Sequence, residues 1–220
     1  ETVKITTDLL KSIHNMEVKE GQLPDIKEYI YTCIEAVVGI IDDSYIRKIR
    51  DMVENVPDTP SMLHCDYHVN NIFIRDGKPI LIDMDTLSHG HPIFELANIY
   101  ITYVGFGEVD KSIVENFLHL PYETAKTIWD KFLPIYLGKT DVKEIENKIK
   151  LLSYARFIRH IARRDPNTDE AKNTIAYCKQ RIEELIPNID MHNVIGTITI
   201  KGYVLIAVGI LSAISLFSVK

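Results

Sequence analysis

The chain has 220 residues and a net charge of −6, with 25 basic and 31 acidic side chains. This length is enough for one large domain or two small ones with a sizeable core. The acidic balance gives no electrostatic basis for binding nucleic acid. The three cysteines are odd in number, far apart and without metal-ligand spacing, which predicts reduced thiols and a cytoplasmic location.

Apolar residues recur at helical spacing over most of the chain. Before residue 64 this pattern predicts helices over residues 3–17, 26–41 and 44–54. The sequence Pro-Asp-Thr-Pro at 57–60 ends this first helical part, because proline interrupts helices. After residue 92 the pattern predicts helices over residues 93–103, 110–119, 122–137, 141–164 and 168–186.

The stretch from His64 to Asp85 differs from the helices around it. Two short β-rich runs, at 72–74 and 79–82, flank the Asp-Gly pair at 76–77, which is a strong signal for a hairpin turn. A hairpin returns the chain on itself, so the polar residues before it are predicted to lie beside those after it. Carboxylate and amide oxygens gathered in this way suit a hard cation such as Mg²⁺. The predicted oxygen donors are Asp66, Asn71, Asp83 and Asp85.

Three linked motifs resemble the aminoglycoside phosphotransferase and choline kinase family of kinase-like small-molecule phosphotransferases. The family signature reads roughly His-Gly-Asp-x-His-x-x-Asn, then Ile-Asp-x-Asp/Glu, then Gly-x-Pro-x-x-Asp-Leu-Ala. This chain has His-Cys-Asp-Tyr-His-Val-Asn-Asn at 64–71, Ile-Asp-Met-Asp at 82–85 and Gly-His-Pro-Ile-Phe-Glu-Leu-Ala at 90–97. The resemblance covers residues 1–186. It implies an α+β, mainly α fold: a protein-kinase-like C-terminal lobe with helices around a small β-hairpin.

The resemblance also implies a reaction, in which a phosphoryl group passes from ATP or GTP to a hydroxyl of a small-molecule acceptor. Asp66 would be the general base, and Asn71 and Asp83 would hold Mg²⁺. Asp83 follows the apolar run Ile-Leu-Ile. A buried carboxylate is costly without a cation, so we expect a buried Asp83 that is neutralised by the metal.

The remaining motif residues are expected to support the site. By resemblance, His64 braces the catalytic loop, and His68 has a structural or substrate-side role. Asp85 either supports the metal or caps the following loop, and these two interpretations stay open. Glu95 stands where the family usually has Asp, as a hydrogen-bonding brace of the loop. Cys65 replaces the usual glycine, which is costly by about 1–2 kcal/mol if the backbone there has a positive φ.

The nucleotide lobe of a kinase-like enzyme is a β-sheet with a phosphate-covering loop and a Lys-bearing strand. No stretch before residue 64 reads as such a sheet, and the chain has no Walker sequence and no Gly-x-Gly-x-x-Gly. Ile-Thr-Ile-Lys at 198–201 resembles a Lys-bearing strand only superficially, because no glycine loop precedes it. We therefore expect a C-terminal lobe with the N-terminal nucleotide lobe absent. A degenerate, non-catalytic binding module or a fragment is the alternative.

A second alternative is a metal-dependent hydrolase. In that case His64, Asp66 and His68 would bind Zn²⁺ or Fe²⁺, because histidine and carboxylate ligands suit those ions. This hypothesis leaves Asn71 and Asp83 unexplained.

The C-terminal residues divide into a linker at 187–201 and a hydrophobic tail at 202–219 that carries no charge. Eighteen such residues just reach the length of a membrane-spanning helix. A membrane segment and a part of a truncated domain are both open, so the cytoplasmic protein could also contact a membrane through this tail.

A group of basic residues and a group of aromatic residues could each contribute to binding the acceptor. A basic run, comprising Arg156, Arg159, His160, Arg163 and Arg164, is interpreted as a solvated helix face, with binding of an anionic substrate or a membrane as the alternative. Trp129 and the tyrosines at 100, 103 and 136 are interpreted as core residues, with a choline-like cation site as the alternative.

His14 follows Ile13 as in a family Leu-His pair, and is interpreted as a helix-packing histidine.

Overall fold

The computed structural model describes residues 2–191, and these residues form a mainly helical α+β fold. The α-helices are α1 (Thr2–His14), α2 (Ile26–Glu35), α3 (Asp43–Asn55), α4 (Ile93–Tyr100), α5 (Phe106–Val109), α6 (Lys111–Leu118), α7 (Tyr122–Leu137), α8 (Lys143–Ala162) and α9 (Asp169–Leu185). The strands are β1 (Met62–Leu63), β2 (Ile72–Arg75), β3 (Lys78–Leu81) and β4 (Ser88–His89). The fold class predicted from the sequence is confirmed as mainly helical α+β.

Side-chain caps explain where several helices begin. Asp25, Asp42, Asp110 and Thr168 each precede a helix and accept a hydrogen bond from a backbone N–H of its first turn, which satisfies a donor that the helix leaves unpaired. The helices predicted before residue 60 and after residue 110 are confirmed, although the one predicted over 3–17 already ends at His14. The helix predicted over 26–41 ends at Glu35, and the chain then turns through Gly39, whose φ of 77° favours glycine.

The helix predicted over 93–103 has an irregular second half. α4 continues into a π-helical segment, Ile101–Gly105, and then into the single turn of α5. A π-helical turn inserts an extra residue into the backbone hydrogen-bonding pattern and is frequent at functional sites. The apolar spacing of this segment predicts a helix but does not distinguish its π geometry from α geometry.

The predicted hairpin is confirmed. β2 and β3 pair antiparallel with Ile72 opposite Leu81, and the turn residues Asp76 and Gly77 both have positive φ, at 52° and 73°. Two positive φ values are the mark of a type I′ turn, which matches the twist of the strands it joins. A second short pair, β1 with β4, brings the residues just before His64 beside those just before Gly90.

The core surrounds α8, which packs against α9, α4 and α2, while α1 packs against α7. The largest fully buried side chains include Trp129, Tyr100, Tyr154 and Phe157. α4 is buried along its whole length, so this helix provides a rigid support for the loop that precedes the hairpin.

The C-terminal predictions fall largely outside the described part of the chain. The hydrophobic tail at 202–219 and the Lys-bearing stretch at 198–201 lie among residues 192–220, which the structure does not describe. Ile189 and Met191, at the start of the predicted linker, are buried against the core. Within residues 2–191, no helix combines the length and the apolar character that a membrane span requires.

Candidate active site

Asp66, His68 and Asn71 lie together in the loop between β1 and β2. Asn71 Nδ2 donates to the Asp66 backbone carbonyl over 3.0 Å and lies 3.3 Å from Asp66 Oδ2. His68 Nε2 lies 3.4 Å from the same carboxylate oxygen. The Asp66 side chain is 42% exposed, so it is held by its neighbours while remaining open to a ligand.

These contacts set the protonation state of Asp66. The hydrogen bond from His68 lowers the pKa of the Asp66 carboxyl below its ordinary value; partial burial opposes this effect, and the charges of His68 and His64 and the Asn71 hydrogen bond add to it. A depressed pKa means that Asp66 is a carboxylate at neutral pH. The side chain can therefore accept a proton or orient a hydroxyl group.

The loop is held from below by Glu95, which is completely buried on α4. Its Oε1 accepts a hydrogen bond from the Cys65 backbone N–H over 2.8 Å, and its Oε2 accepts one from the His64 N–H over 3.1 Å. The longer side chain of Glu, compared with the Asp that the family signature has here, reaches both amide groups. Hydrogen bonds to a carboxylate are stronger than those between neutral groups.

His14 gives the same carboxylate a third partner. Its Nε2 donates to Glu95 Oε2 over 2.6 Å, because a carboxylate can only accept. His14 Nδ1 is then free to accept from the Tyr136 hydroxyl, 2.6 Å away. His14 is buried between helices, as the sequence predicts, but its bond to Glu95 is not apparent from sequence because the two residues are 81 positions apart.

Cys65 has a left-handed backbone, with φ at 64°. This is the conformation that makes glycine favourable at the position. Its thiol is buried, which raises its pKa, and its backbone carbonyl accepts a hydrogen bond from Asn98 Nδ2 on α4. The amide and the carbonyl of the strained residue are thus both bonded to α4, and these bonds offset the cost of the conformation.

Another glycine of the signature is required by a close approach. Gly90 has φ at 141°, and a Cβ atom there would lie 2.6 Å from Ile26 Cγ2. The packing of α2 against this segment therefore requires glycine at position 90 of the signature.

Hydrogen bonds connect the loop to the segment that follows the hairpin. His64 Nε2 donates to the Ile82 carbonyl over 3.0 Å, and Thr86 Oγ1 donates to the His64 carbonyl over 2.7 Å. The Ile82 N–H donates to the Asn71 carbonyl over 3.0 Å. Asn71 therefore lies opposite Ile82, one residue before Asp83, and the hairpin brings the two polar clusters together as the sequence predicts.

The expected burial of Asp83 is wrong. Asp83 and Asp85 are exposed, and neither forms a hydrogen bond or an ion pair with another described residue. β3 ends at the buried Leu81, and from Ile82 onward the chain turns towards solvent, with Asp83 in a left-handed conformation at φ 62°. Burial of the carboxylate therefore gives no support for a cation at Asp83, and that role depends on its position beside Asn71.

The oxygen donors on this edge nevertheless fit Mg²⁺. Within residues 2–191, the side-chain contacts of Asn71 all involve its Nδ2. Its Oδ1 accepts no hydrogen bond from these residues and remains available as a ligand. One amide oxygen and one exposed carboxylate are typical of sites where water and substrate phosphate complete the Mg²⁺ shell.

The ligand set of the hydrolase alternative does not form. His64 Nδ1 accepts from the Asp66 N–H and His64 Nε2 donates to the Ile82 carbonyl, so neither ring nitrogen is free for a metal. Across the described part of the chain, no three His, Cys, Asp or Glu side chains are grouped so that they could hold a metal ion.

A cavity of about 510 Å³ opens beside Asp66, and the sequence does not predict it. It lies between the π-helical segment, α6, α8 and the start of α9, and part of the basic run lines it. Trp129 and the three tyrosines that could have formed a cation site are instead buried in the core.

Comparisons with known proteins give one family match and one structural match. Residues 35–130 match the family model described as APH, phosphotransferase enzyme family. The structure is similar to an ethanolamine kinase from Plasmodium vivax, with a TM-score of 0.41 and 16% sequence identity, over 82% of this chain and 58% of that one. The chain thus spans less than two thirds of the length of that enzyme. No curated protein matches the chain at a significant level.

Proposed function

We propose that this protein transfers the γ-phosphoryl group of ATP to a hydroxyl group of a small molecule. The match of residues 35–130 to the phosphotransferase enzyme family model supports this reaction class. The observation that carries the proposal is the arrangement of Asp66, His68 and Asn71 on a loop that Glu95 fixes in place. GTP is the alternative donor.

In this reaction the acceptor oxygen forms a bond to the γ-phosphorus, and the bond from that phosphorus to the β–γ bridging oxygen breaks. ADP leaves, and the proton of the acceptor hydroxyl passes to the Asp66 carboxylate. Phosphoryl transfer depends mainly on positioning and charge stabilisation. Asp66 is suited to this role because it is ionised and remains partly exposed at the mouth of the cavity.

Asn71 Oδ1 and the Asp83 carboxylate would hold Mg²⁺. When bound, the ion neutralises charge on the phosphates of the nucleotide. The register of the hairpin supports this assignment, because the Ile82 N–H bonds the Asn71 carbonyl and keeps Asp83 next to Asn71. Asp85 lies two residues further on the same exposed segment, where its carboxylate would support the metal.

The remaining motif residues position this machinery. His64 ties the catalytic loop to the segment that carries Asp83, through its bond to Ile82. His68 holds the Asp66 carboxylate in its ionised form, and its ring packs edge-on against Phe117 with centroids 4.9 Å apart. Glu95 fixes the backbone of the loop from inside the protein.

We assign residues 1–186 to the C-terminal lobe of such an enzyme. Within residues 2–191 the β-structure consists of two two-stranded sheets, and neither has the size of a nucleotide lobe. Binding of the nucleotide base and of the α-phosphate would then not be provided by these two sheets.

Substitution of the general base tests the proposal. The intact protein is incubated with Mg²⁺, ATP labelled at the γ-phosphorus and a panel of small alcohols, and labelled products are separated. Asp66→Asn is expected to reduce transfer by about 100- to 10,000-fold with an unchanged circular dichroism spectrum. Transfer at the wild-type rate by this variant would reject the assignment of the base, and absence of transfer by the wild type would favour a non-catalytic module.

A further inference from the structure

The cavity beside Asp66 has the size and the walls of a small-molecule pocket. Its volume of about 510 Å³ falls in the usual range for such pockets, about 300–1,000 Å³. Its walls are largely apolar, and they are formed by Ile101, Phe106, Ile113, Phe117, Phe157 and Ile161. Asp66 lies at its edge, so a molecule bound here would be next to the proposed base.

One side of the cavity is basic. Arg156, His160 and Arg164 follow one another at four-residue intervals along α8 and just beyond its end, and this spacing places them on one face. The described residues provide no carboxylate within ion-pair distance of Arg156 or Arg164. Arg156 is half-buried, so its guanidinium is partly shielded from water and has no carboxylate partner among the described residues.

Arg156 is also held in a fixed position. Its guanidinium lies 5.2 Å from the ring centroid of Tyr29 on α2, a distance typical of cation–π contacts. A guanidinium that is already oriented loses less freedom when it binds an oxyanion in the two-pronged geometry that such groups favour. The basic run is therefore only partly the solvated face expected from the sequence.

The acids of the cavity are arranged differently from its bases. Apart from Asp66, the acidic side chains that line it are Asp165 and Glu170, and both are exposed. Asp165 already accepts a hydrogen bond from the Asn167 N–H. Arg156 is thus less exposed than the two acids, whose charges are screened by solvent.

From this arrangement we infer that the acceptor is a small alcohol that also carries an oxyanion group, either phosphate or carboxylate, and that Arg156, together with His160, binds this group. The inference rests on the proposed function, since it takes the cavity to be the acceptor site. The hydroxyl end of the acceptor would lie at Asp66 and the aliphatic part between the aromatic walls.

The test is a binding measurement that needs neither nucleotide nor turnover. Calorimetric titration of the intact protein with glycerol 3-phosphate and D-glycerate is compared with titration by glycerol and ethanolamine. We expect one or both anions to bind at least tenfold more tightly than the neutral and the cationic alcohol. Equal or tighter binding of glycerol or ethanolamine would overturn the inference.

Arg159 offers a matched control for Arg156. Both guanidinium groups pack on the Tyr29 ring, at 4.6 Å and 5.2 Å from its centroid, but only Arg156 lines the cavity. Arg156→Gln is expected to weaken anion binding at least tenfold, Arg156→Lys to restore part of it, and Arg159→Gln to change it less than twofold. An equal loss in the Arg156→Gln and Arg159→Gln variants would point to a general effect of charge or packing and would overturn the inference.

The phosphates of the nucleotide are also oxyanions and could bind Arg156 in place of the acceptor. If MgATP competes with glycerol 3-phosphate for the cavity, the anion bound at Arg156 belongs to the nucleotide and the inference is wrong; simultaneous binding supports it. Transfer to uncharged alcohols without anion binding would overturn the inference while leaving the proposed function intact. Anion binding without any phosphoryl transfer would overturn the proposed function while leaving an oxyanion site at Arg156.

Discussion

The two polar clusters of the candidate site lie in opposite surroundings. The loop that carries Asp66 is bonded to the buried Glu95 through two backbone amides, whereas Asp83 is exposed and has no protein partner among residues 2–191. Three apolar side chains of the hairpin between them are also exposed: Phe73 at 55%, Ile74 at 62% and Ile80 at 39%. The proposed base is therefore positioned before any ligand arrives, while the proposed metal ligand acquires its partners only when ions and phosphates bind.

The buried residues that support the Asp66 loop and the exposed Asp83 are two kinds of functional residue. On the buried side, preorganisation is provided by hydrogen bonds that also stabilise the fold. On the exposed side, a carboxylate in water has no energetic role in folding, and its position is set only by the hairpin register. Substitutions on the two sides are therefore expected to affect different measurements.

The largest effect is expected on the buried side. Glu95→Ala would leave His14 and two backbone amides without their acceptor, and we expect a loss of about 3–5 kcal/mol in the free energy of unfolding, measured with urea. Glu95→Gln retains an acceptor and should lose less, which provides a measurement if the alanine variant fails to fold. Glu123→Ala is the control, because Glu123 is exposed in its ion pair with Lys111 and should change stability by less than about 1 kcal/mol. Comparable losses at Glu95 and Glu123 would contradict a structural role for the buried carboxylate.

An intermediate effect is expected on the exposed side. Asp83→Asn should leave the free energy of unfolding within about 0.5 kcal/mol of wild type and weaken binding of Mn²⁺, used as a probe for Mg²⁺, by about tenfold. Electron paramagnetic resonance of free Mn²⁺ measures this affinity directly. Asp76→Asn is matched, since Asp76 is also exposed and has a positive φ, and it should bind Mn²⁺ as the wild type does. Unchanged Mn²⁺ affinity in the Asp83 variant would remove Asp83 from the metal site.

The smallest effect is expected from the left-handed backbone conformation, which occurs at one residue on each side. Cys65 and Asp83 have nearly the same left-handed φ, 64° and 62°, but only Cys65 is buried. Cys65→Gly should be more stable than Cys65→Ala by about 0.5–1 kcal/mol, because both variants lose the thiol and only glycine relieves the strain. Thermal unfolding of the two variants side by side measures the difference, and an alanine variant as stable as the glycine variant would show that the loop relaxes.

Much of this arrangement follows from local sequence. The Asp-Gly turn at 76–77 determines the hairpin, and Pro-Asp-Thr-Pro at 57–60 separates it from the helices before it. These features depend on neighbouring residues, so a single sequence reveals them. The motif spacing likewise indicates that Asp66 and Asn71 lie together, and in the structure Asn71 Nδ2 lies 3.3 Å from Asp66 Oδ2.

Other features depend on residues far apart in the chain and could not be predicted. Glu95 is expected to brace the loop by resemblance, but its bond to His14 requires the packing of α1 against the rest of the domain. The cavity beside Asp66 combines the π-helical segment with α8 and α9, and apolar periodicity does not report a π turn. The exposure of Asp83 is not predictable in this way, because an apolar run predicts burial of the strand and gives no information about the residue that follows it.

The way in which Glu95 holds the loop has a consequence for sequence variation. Its two oxygens bind the amide hydrogens of residues 64 and 65, and every amino acid except proline has that group. A saturation library at position 65 should therefore reject proline, and among the remaining residues the positive φ should favour glycine. Cysteine can stand in place of the glycine of the signature because the hydrogen bonds that hold this loop are made by its main chain.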